Sequence, residues 1–370
     1  MQISMNSKKY NNIKLIVSIF IGALSFLLLL LFVVFGGSKF LRDYLDSLIQ
    51  NKYLLFLAFV IVIGIIETLI LAPLSYYQEY YLEHEYQLSN QSFGQWIWEN
   101  LKGILIGSVL GIPVLLFFFF VINTFHEMWW LPFAILMFII SVVLAQIIPV
   151  VVLPIFYKVT PIADEELKSR ITDQALRVGI LVENIYKFNM SKNTKKANAA
   201  FTGLGSTKRI ILGDTLLENF TLDEIETVIA HELGHYKHKH ILKNIFMGTL
   251  FSFLTFFVIA KLYEFSLSWF GFISITEIAA LPLLVLWGML IGLIQTPISN
   301  IISRKFEYEA DSYAVESTGK DEIFINTLEK LTDQNLGDRE PHPIVEWYFY
   351  SHPSIEKRKK NIKKVAVEAS

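Results

Sequence analysis

The sequence predicts a mainly α-helical, multi-pass membrane protein with six to seven spans and a small α+β portion. Hydrophobic residues make up 53% of the 370 residues and charged residues only 18%, whereas a soluble globular chain usually has about 25% charged residues. A disordered chain is excluded as well, because 14% of the residues are aromatic. The apolar residues are gathered into long runs, and these runs favour membrane-spanning helices.

Six apolar runs are long enough to cross a bilayer, since a spanning helix needs about 20 largely apolar residues. The first run is too long for the core of a signal peptide, so we expect it to remain as an anchor. The fourth run contains Pro149 and Pro154 and predicts either one long broken helix or a span followed by a re-entrant piece. The six runs are 15–35, 53–74, 101–122, 129–157, 241–262 and 279–302.

Two polar regions flank the last pair of runs, residues 158–240 before it and 304–370 after it. The connector 261–278 is short, so these two runs are expected to form a helical hairpin with both polar regions on one side of the membrane. Both regions are rich in Lys and Arg, which by the positive-inside tendency places them in the cytoplasm. The loop 78–100, with four Glu and no Lys or Arg, is the candidate for the opposite side. The side of the N-terminus depends on the number of spans and stays open.

The polar region 158–240 predicts a small α+β unit followed by a long helix. An amphipathic pattern after Pro161 gives way to segments that alternate like strands, with glycines in the turn between two of them. Thr221 and Glu224 then form a T-x-x-E capping box, and we expect its helix to run without a break through His240 into the fifth span. The other expected elements are a helix at 163–178 and strands at 184–190, 198–202 and 209–212, with Gly203 and Gly205 in the last turn.

The strongest chemical signal is the sequence H-E-L-G-H at residues 231–235. His231 and His235 lie four positions apart on one face of the predicted helix, so both imidazoles can bind a single ion. This is the H-E-x-x-H pattern, in which the two His bind zinc and the Glu acts as general base. Glu232 is therefore the candidate catalytic base.

The third zinc ligand must come from elsewhere in the chain. A hydrolytic zinc site usually has three protein ligands and a water, and because this chain has no Cys the third ligand is His, Asp or Glu. Glu307 is the best candidate, because it follows the returning span and so ends at the same membrane face as the two His. Glu309 points elsewhere on a helix, and Asp311 could accept a hydrogen bond from the outer nitrogen of a ligand His. A solvated acidic helix start is the alternative interpretation of these carboxylates.

These motifs, with several others, make the chain resemble the integral-membrane zinc endopeptidases of the type I CAAX prenyl protease group. The resemblance covers most of the chain from about residue 70, and a composition rich in Ile, Lys, Asn and Phe without Cys fits a prokaryotic member. The motifs are H-E-L-G-H-Y-K at 231–237, S-R-K-F-E-Y-E-A-D at 303–311, N-A-A-F at 198–201, Q-S-F-G at 91–94 and Y-S-H-P at 350–353.

The resemblance implies a helical barrel, usually of seven spans, that encloses one Zn²⁺ per chain and cuts near the C-terminus of prenylated CAAX proteins. It divides the chain into an N-terminal membrane region, residues 1–158, and a zinc metallopeptidase domain, residues 159–370, which includes the last two spans. It places the catalytic candidate His352 against the active site, where its imidazole would donate to the developing oxyanion. It also implies substrate binding by Arg358 and by Asn198, the latter on a strand to which a peptide could add.

The substrate class stays open on the sequence alone. The expected partners are the lipid bilayer and a peptide or protein substrate, with or without a lipid modification, while the net charge of −2 gives no reason to expect nucleic acid. Prokaryotes normally lack prenylated CAAX proteins, so a membrane-protein quality-control zinc protease is the alternative enzyme. A zinc-binding transporter or structural membrane protein is the alternative of another class, although structural zinc usually has four Cys or His ligands. A prokaryotic chain would lie in the bacterial cytoplasmic membrane and a eukaryotic one in the endoplasmic reticulum membrane, with the active site facing the cytoplasm.

Overall fold

Six helices of the described residues are long and apolar enough to span a membrane, which is the lower of the two predicted numbers. The computed structural model describes residues 2–179, 185–203 and 209–369. The N-terminal part of the chain contains α1 (Gln2–Val34), α2 (Gly37–Asp46), α3 (Lys52–Tyr76), α4 (Leu82–Glu85), α5 (Phe93–Phe125), α6 (Trp130–Ile147) and α7 (Leu153–Phe156). Four of the six spans lie here, and α4 and α7 are the ends of the second and the fourth.

The fourth apolar run forms one continuous helical path rather than a span with a re-entrant piece. α6 passes through the π-helical turn Ile148–Val152 directly into α7, and the wider turn accommodates Pro149, which cannot donate a helical hydrogen bond. An even number of spans therefore precedes the region 158–240, so the N-terminus lies on the same side as this region. The side chain of Asn11, on α1, accordingly donates to the carbonyl of Leu336 in the C-terminal polar region at 2.6 Å.

The loop 78–100 lies on the same side as the region 158–240, so the opposite side was the wrong expectation. Lys195 donates its N–H to the carbonyl of Leu88 at 2.9 Å, and the carboxylate of Glu83 forms an ion pair with Lys196 at 2.9 Å. Glu99 of the same loop pairs with Lys192 at 2.6 Å. Acidic residues have little influence on topology, so four Glu residues did not indicate the side on which this loop lies.

The predicted α+β unit is a four-stranded sheet with the order β1-β2-β4-β3. β2 and β4 run parallel, and the other two pairs are antiparallel. Because β3 is last in the strand order, it is an edge strand of the described sheet. The predicted residues Asn184 and Gly205 lie outside the described residues, and β1 was not predicted. The elements are β1 (Val159–Pro161), α8 (Glu165–Arg177), β2 (Ile185–Phe188), β3 (Ala199–Thr202), β4 (Arg209–Gly213), α9 (Asp214–Asn219) and α10 (Leu222–Lys237).

The helix that carries H-E-L-G-H begins as predicted but ends before the membrane. Thr221 and Glu224 form both hydrogen bonds of the capping box. The prediction that the helix continues through His240 is wrong, because Lys239 adopts a left-handed conformation with φ 56° and ψ 35° and the next helix starts after it. Gly and Asn are the residues that usually adopt this conformation, and Lys rarely does. The sequence therefore contains no signal of a helix break at Lys239.

The last two spans form the predicted hairpin, and the helix of the second continues well beyond the apolar run 279–302. The C-terminal elements are α11 (His240–Ser266), α12 (Pro282–Thr318), α13 (Asp321–Gln334), α14 (Pro343–Phe349) and α15 (Ile355–Ala369). α12 crosses α10 at Gly234, where an added Cβ would lie only 2.9 Å from the Cα of Ala310. This close crossing brings the last turns of α12 to the H-E-L-G-H motif.

Candidate active site

The sequence-predicted zinc ligands meet where α10 crosses α12. The Nε2 atoms of His231 and His235 lie 3.2 Å apart, and Glu307 has one carboxylate oxygen 3.5 Å from Nε2 of His231 and the other 3.4 Å from that of His235. Zinc with bonds of about 2.0–2.1 Å in a tetrahedral site requires ligand atoms about 3.3 Å apart. Oε2 of Glu307 is also buried without a hydrogen-bond partner in the described part of the chain. The three donors therefore fit one zinc ion.

Behind His231 lies a buried carboxylate that is itself held by an arginine. Nδ1 of His231 is 2.9 Å from Oδ1 of Asp311, a distance that suits the predicted role of Asp311 in orienting a ligand imidazole. Arg358 donates from Nε and Nη2 to the two oxygens of Asp311 at 2.8 and 2.6 Å. Asp311 is fully buried, so the bidentate guanidinium compensates its charge where water cannot.

The same contacts determine the protonation of these groups in the metal-free site. Burial disfavours a charged His231, but the hydrogen bond to Asp311 and the carboxylate of Glu307, 3.5 Å away, outweigh burial and raise the pKa of His231 to about 9. Burial likewise opposes the charge of Arg358, and the attraction of Asp311 outweighs it, so the pKa of this guanidinium lies above its ordinary value.

The candidate base Glu232 is attached to the edge strand of the sheet. Its Oε2 accepts a hydrogen bond from the backbone N–H of Phe201 at 3.2 Å. Phe201 also packs its ring against Tyr236, one turn further along α10, with a centroid separation of 5.2 Å. The carboxylate is therefore held at the boundary between α10 and β3.

His352 reaches the site from the C-terminal region. Its Nε2 lies 3.5 Å from a carboxylate oxygen of Glu307, while 64% of the side chain is exposed. The segment before it is anchored by Arg304, which donates to the carbonyls of Glu346, Trp347 and Tyr350. No role for Arg304 was predicted, because its partners are carbonyl groups that every sequence provides.

A cavity of about 420 Å³ is lined by six of the predicted site residues. Its walls include Asn198, whose side chain is exposed and whose carbonyl accepts the N–H of Gly213 at 2.9 Å. The preceding residue, Ala197, is held on both backbone groups by the side-chain amide of Asn335, at 2.8 and 3.1 Å. Sequence reasoning missed Asn335, since a lone polar residue at a helix end carries no signal of this contact. The predicted site residues that line the cavity are Asn198, His231, Glu232, Glu307, His352 and Arg358.

Comparison with known families assigns both parts of the chain. The profile of peptidase family M48 matches residues 161–366, more than half of the sequence. The chain belongs to this family. A second profile, described as the CAAX prenyl protease N-terminal region with five membrane helices, matches residues 3–158. M48 peptidases are metalloproteases, so this member is a membrane zinc metallopeptidase, and the alternative of a zinc-binding transporter or structural protein is not supported.

Individual relatives agree along nearly the whole chain. The "uncharacterized metalloprotease YhfN" of Bacillus subtilis is 32% identical over 95% of this chain and 83% of its own. CAAX prenyl protease 1 of Saccharomyces cerevisiae is 31% identical over 82% of this chain and 70% of its own. The crystal structure of S. mikatae Ste24p superposes with a TM-score of 0.86 at 29% identity and covers 98% of this chain and 89% of its own. These matches confirm the predicted family, the helical membrane fold, the peptidase activity and zinc as the cofactor.

Proposed function

We propose that this M48 peptidase binds zinc through His231, His235 and Glu307 and hydrolyses peptide bonds with Glu232 as its base. One observation carries the proposal: the three donor atoms lie 3.2–3.5 Å apart, and His231 and Glu307 line the same cavity as Glu232. When bound, zinc supplies Lewis-acid chemistry, because it lowers the pKa of a water and polarises the scissile carbonyl. A closed structural site would not leave room for a water or a substrate.

Glu232 performs the proton transfers in this proposal. Its carboxylate takes a proton from the attacking water and returns it to the amine that leaves when the peptide bond breaks. The hydrogen bond from Phe201 occupies one direction of Oε2 and leaves Oε1 to face the water. The base is thus oriented by backbone, which does not reorganise during the reaction.

His352 is the proposed donor to the carbonyl oxygen that becomes negative during attack. Its Nε2 lies 3.5 Å from Glu307, so it lies within reach of a substrate carbonyl at the metal. Arg358 also lines the cavity, but Nε and Nη2 both donate to Asp311. We therefore propose that Arg358 acts mainly by holding Asp311 in place. Its remaining nitrogen, Nη1, lies 3.8 Å from Oε2 of Glu307 and would be the atom that contacts substrate.

Substrate binding is proposed to use the edge strand β3 and Asn198. Within the described sheet, β3 pairs with β4 on one side only, and an extended peptide could add to its other side through backbone hydrogen bonds. The exposed amide of Asn198 would then contact the backbone of the peptide near the scissile bond.

The substrate class proposed is a protein cut near a prenylated C-terminus, because relatives carry the names CAAX prenyl protease 1 and CAAX prenyl protease 1 homolog. Unfolded membrane proteins are the second candidate, because a bacterial metalloprotease is also similar to this chain and prokaryotes normally lack prenylated CAAX proteins. Residues 1–158 would form the membrane chamber and residues 159–370 the peptidase domain. The Lys- and Arg-rich polar regions favour an active site facing the cytoplasm, in the cytoplasmic membrane of a prokaryote, and no nucleic-acid partner is proposed.

Product analysis tests both levels of the proposal. A farnesylated CAAX peptide, the same peptide without the lipid, and an unfolded membrane protein are each incubated with the purified chain, and products are identified by mass spectrometry. Cleavage that requires farnesyl and is abolished by a chelator and by Glu232→Gln supports the prenyl substrate. Equal cleavage of all three substrates refutes a prenyl requirement, and cleavage that persists in Glu232→Gln refutes the mechanism.

A further inference from the structure

His240 reaches the candidate ligand His235 only because the chain breaks between α10 and α11. In a continuous helix, two residues five positions apart point about 140° away from one another. The left-handed Lys239 turns the next residue back, and Nδ1 of His240 lies 2.9 Å from Nδ1 of His235. A non-glycine residue in this conformation costs free energy and persists where the surrounding structure requires it.

The other side of His240 is equally well defined. Its Nε2 lies 2.9 Å from Oε2 of Glu309, and its ring stacks on Phe306 with a centroid separation of 4.2 Å and an interplanar angle of 9°. The imidazole is only 2% exposed. Lys243 and Lys305 approach Glu309 at 3.4 and 3.9 Å, so this carboxylate has cationic neighbours.

The two contacts allow one arrangement of protons once His235 binds metal. A ligand imidazole uses the lone pair of Nε2 for the ion, so its Nδ1 carries the hydrogen and donates. Nδ1 of His240 must then accept this hydrogen, which leaves Nε2 of His240 protonated and donating to Glu309. All four atoms are satisfied with both imidazoles neutral.

We propose that His240 and Glu309 are positioning residues that hold the orientation and tautomer of the zinc ligand His235, and that the break at Lys239 places them. The inference rests on the proposed ligand set. His231 has a carboxylate directly behind it, whereas His235 has a neutral imidazole backed by a carboxylate. Removal of such a partner typically lowers metal affinity by about 10- to 100-fold.

The test is zinc affinity, measured by competition with a fluorescent chelator on the full-length chain in detergent. His240→Phe keeps an aromatic ring against Phe306 but has no acceptor, and should weaken zinc binding about 10- to 100-fold. His240→Asn restores an oxygen near the position of Nδ1 and should recover most of this loss. The matched control is His238→Phe. The ring of His238 stacks on the other residue of the pair, His240, at 5.6 Å, so this substitution also replaces a neighbouring imidazole by a phenyl ring. It should leave the zinc affinity unchanged.

Glu309→Ala provides a second test, on α12. This variant should weaken zinc binding several-fold, whereas Glu309→Gln, which keeps an acceptor for Nε2 of His240, should leave zinc binding unchanged. Cobalt substitution adds a spectroscopic readout: the visible absorption bands should shift in His240→Phe and return in His240→Asn. Parental zinc affinity in a folded His240→Phe or in Glu309→Ala overturns the inference, and so does an equal loss in His238→Phe. Glu307→Ala separates the two levels, because retention of zinc in that variant refutes the ligand set itself.

Discussion

Replacement of Gly234 by Ala should weaken zinc binding, although Gly234 is not itself a proposed zinc ligand. An added Cβ would lie 2.9 Å from Cα and 3.0 Å from the carbonyl oxygen of Ala310, and 3.2 Å from Cβ of Tyr313. Carbon atoms in contact normally lie about 3.5–4.0 Å apart, so α10 and α12 must separate by about 0.6 Å. Backbone atoms cannot move aside as a flexible side chain would, and the separation is transmitted to the ligands on the two helices.

The two contributions to stability have opposite signs in this variant. Ala is favoured over Gly in a helix interior by about 1 kcal/mol, whereas overpacking costs about 1–3 kcal/mol. The net destabilisation is therefore about 0–2 kcal/mol. Zinc binding is more sensitive, because ligand distances are defined to about 0.2 Å, so we expect a loss of zinc affinity of about 10-fold or more.

Chelator competition and thermal unfolding of the purified variant measure the two effects. Gly248→Ala on α11 is the matched control, since an added Cβ there meets nothing within 4 Å among the described residues, and its zinc affinity should equal that of the parent. Parental zinc affinity in Gly234→Ala would refute the reasoning that the helix crossing determines the spacing of the ligands.

Further predictions concern the catalytic and ligand residues. Glu232→Gln should keep zinc near one equivalent and lose hydrolysis by several orders of magnitude, so normal turnover contradicts its role as base. Glu307→Ala should lose the bound zinc while Glu309→Ala still holds one equivalent at saturating metal, as measured by metal analysis; the reverse result would exchange their assignments. His352→Ala should keep zinc content and thermal midpoint but lower kcat/KM about 100-fold or more, and an unchanged kcat/KM removes His352 from the site. The pKa of His231 is raised to about 9 in the metal-free site, so its imidazole is protonated at pH 7. Zinc uptake should therefore release a proton, and zinc affinity should increase as the pH rises toward 9. Calorimetric heats that do not depend on the ionisation enthalpy of the buffer would contradict this.

The sequence alone was sufficient for the fold class and for the identity of the candidate ligands. Long apolar runs determine membrane spans because their length is set by bilayer thickness. His231, Glu232 and His235 are recognisable because helical periodicity is local and places residues four apart on one face. Glu307 could be found because the two spans between it and His235 return to the same side of the membrane, which is a topological argument that needs no coordinates.

Tertiary structure alone decided the features that depend on contacts between distant segments. The left-handed Lys239 has no local signal, because its conformation is imposed by the packing around His240 rather than favoured by lysine. The importance of Gly234 is visible only where Ala310 approaches it, and the anchoring by Arg304 and Asn335 uses backbone groups that no sequence pattern marks. Local periodicity thus determines which residues face the candidate zinc site, while long-range packing determines how accurately they are held.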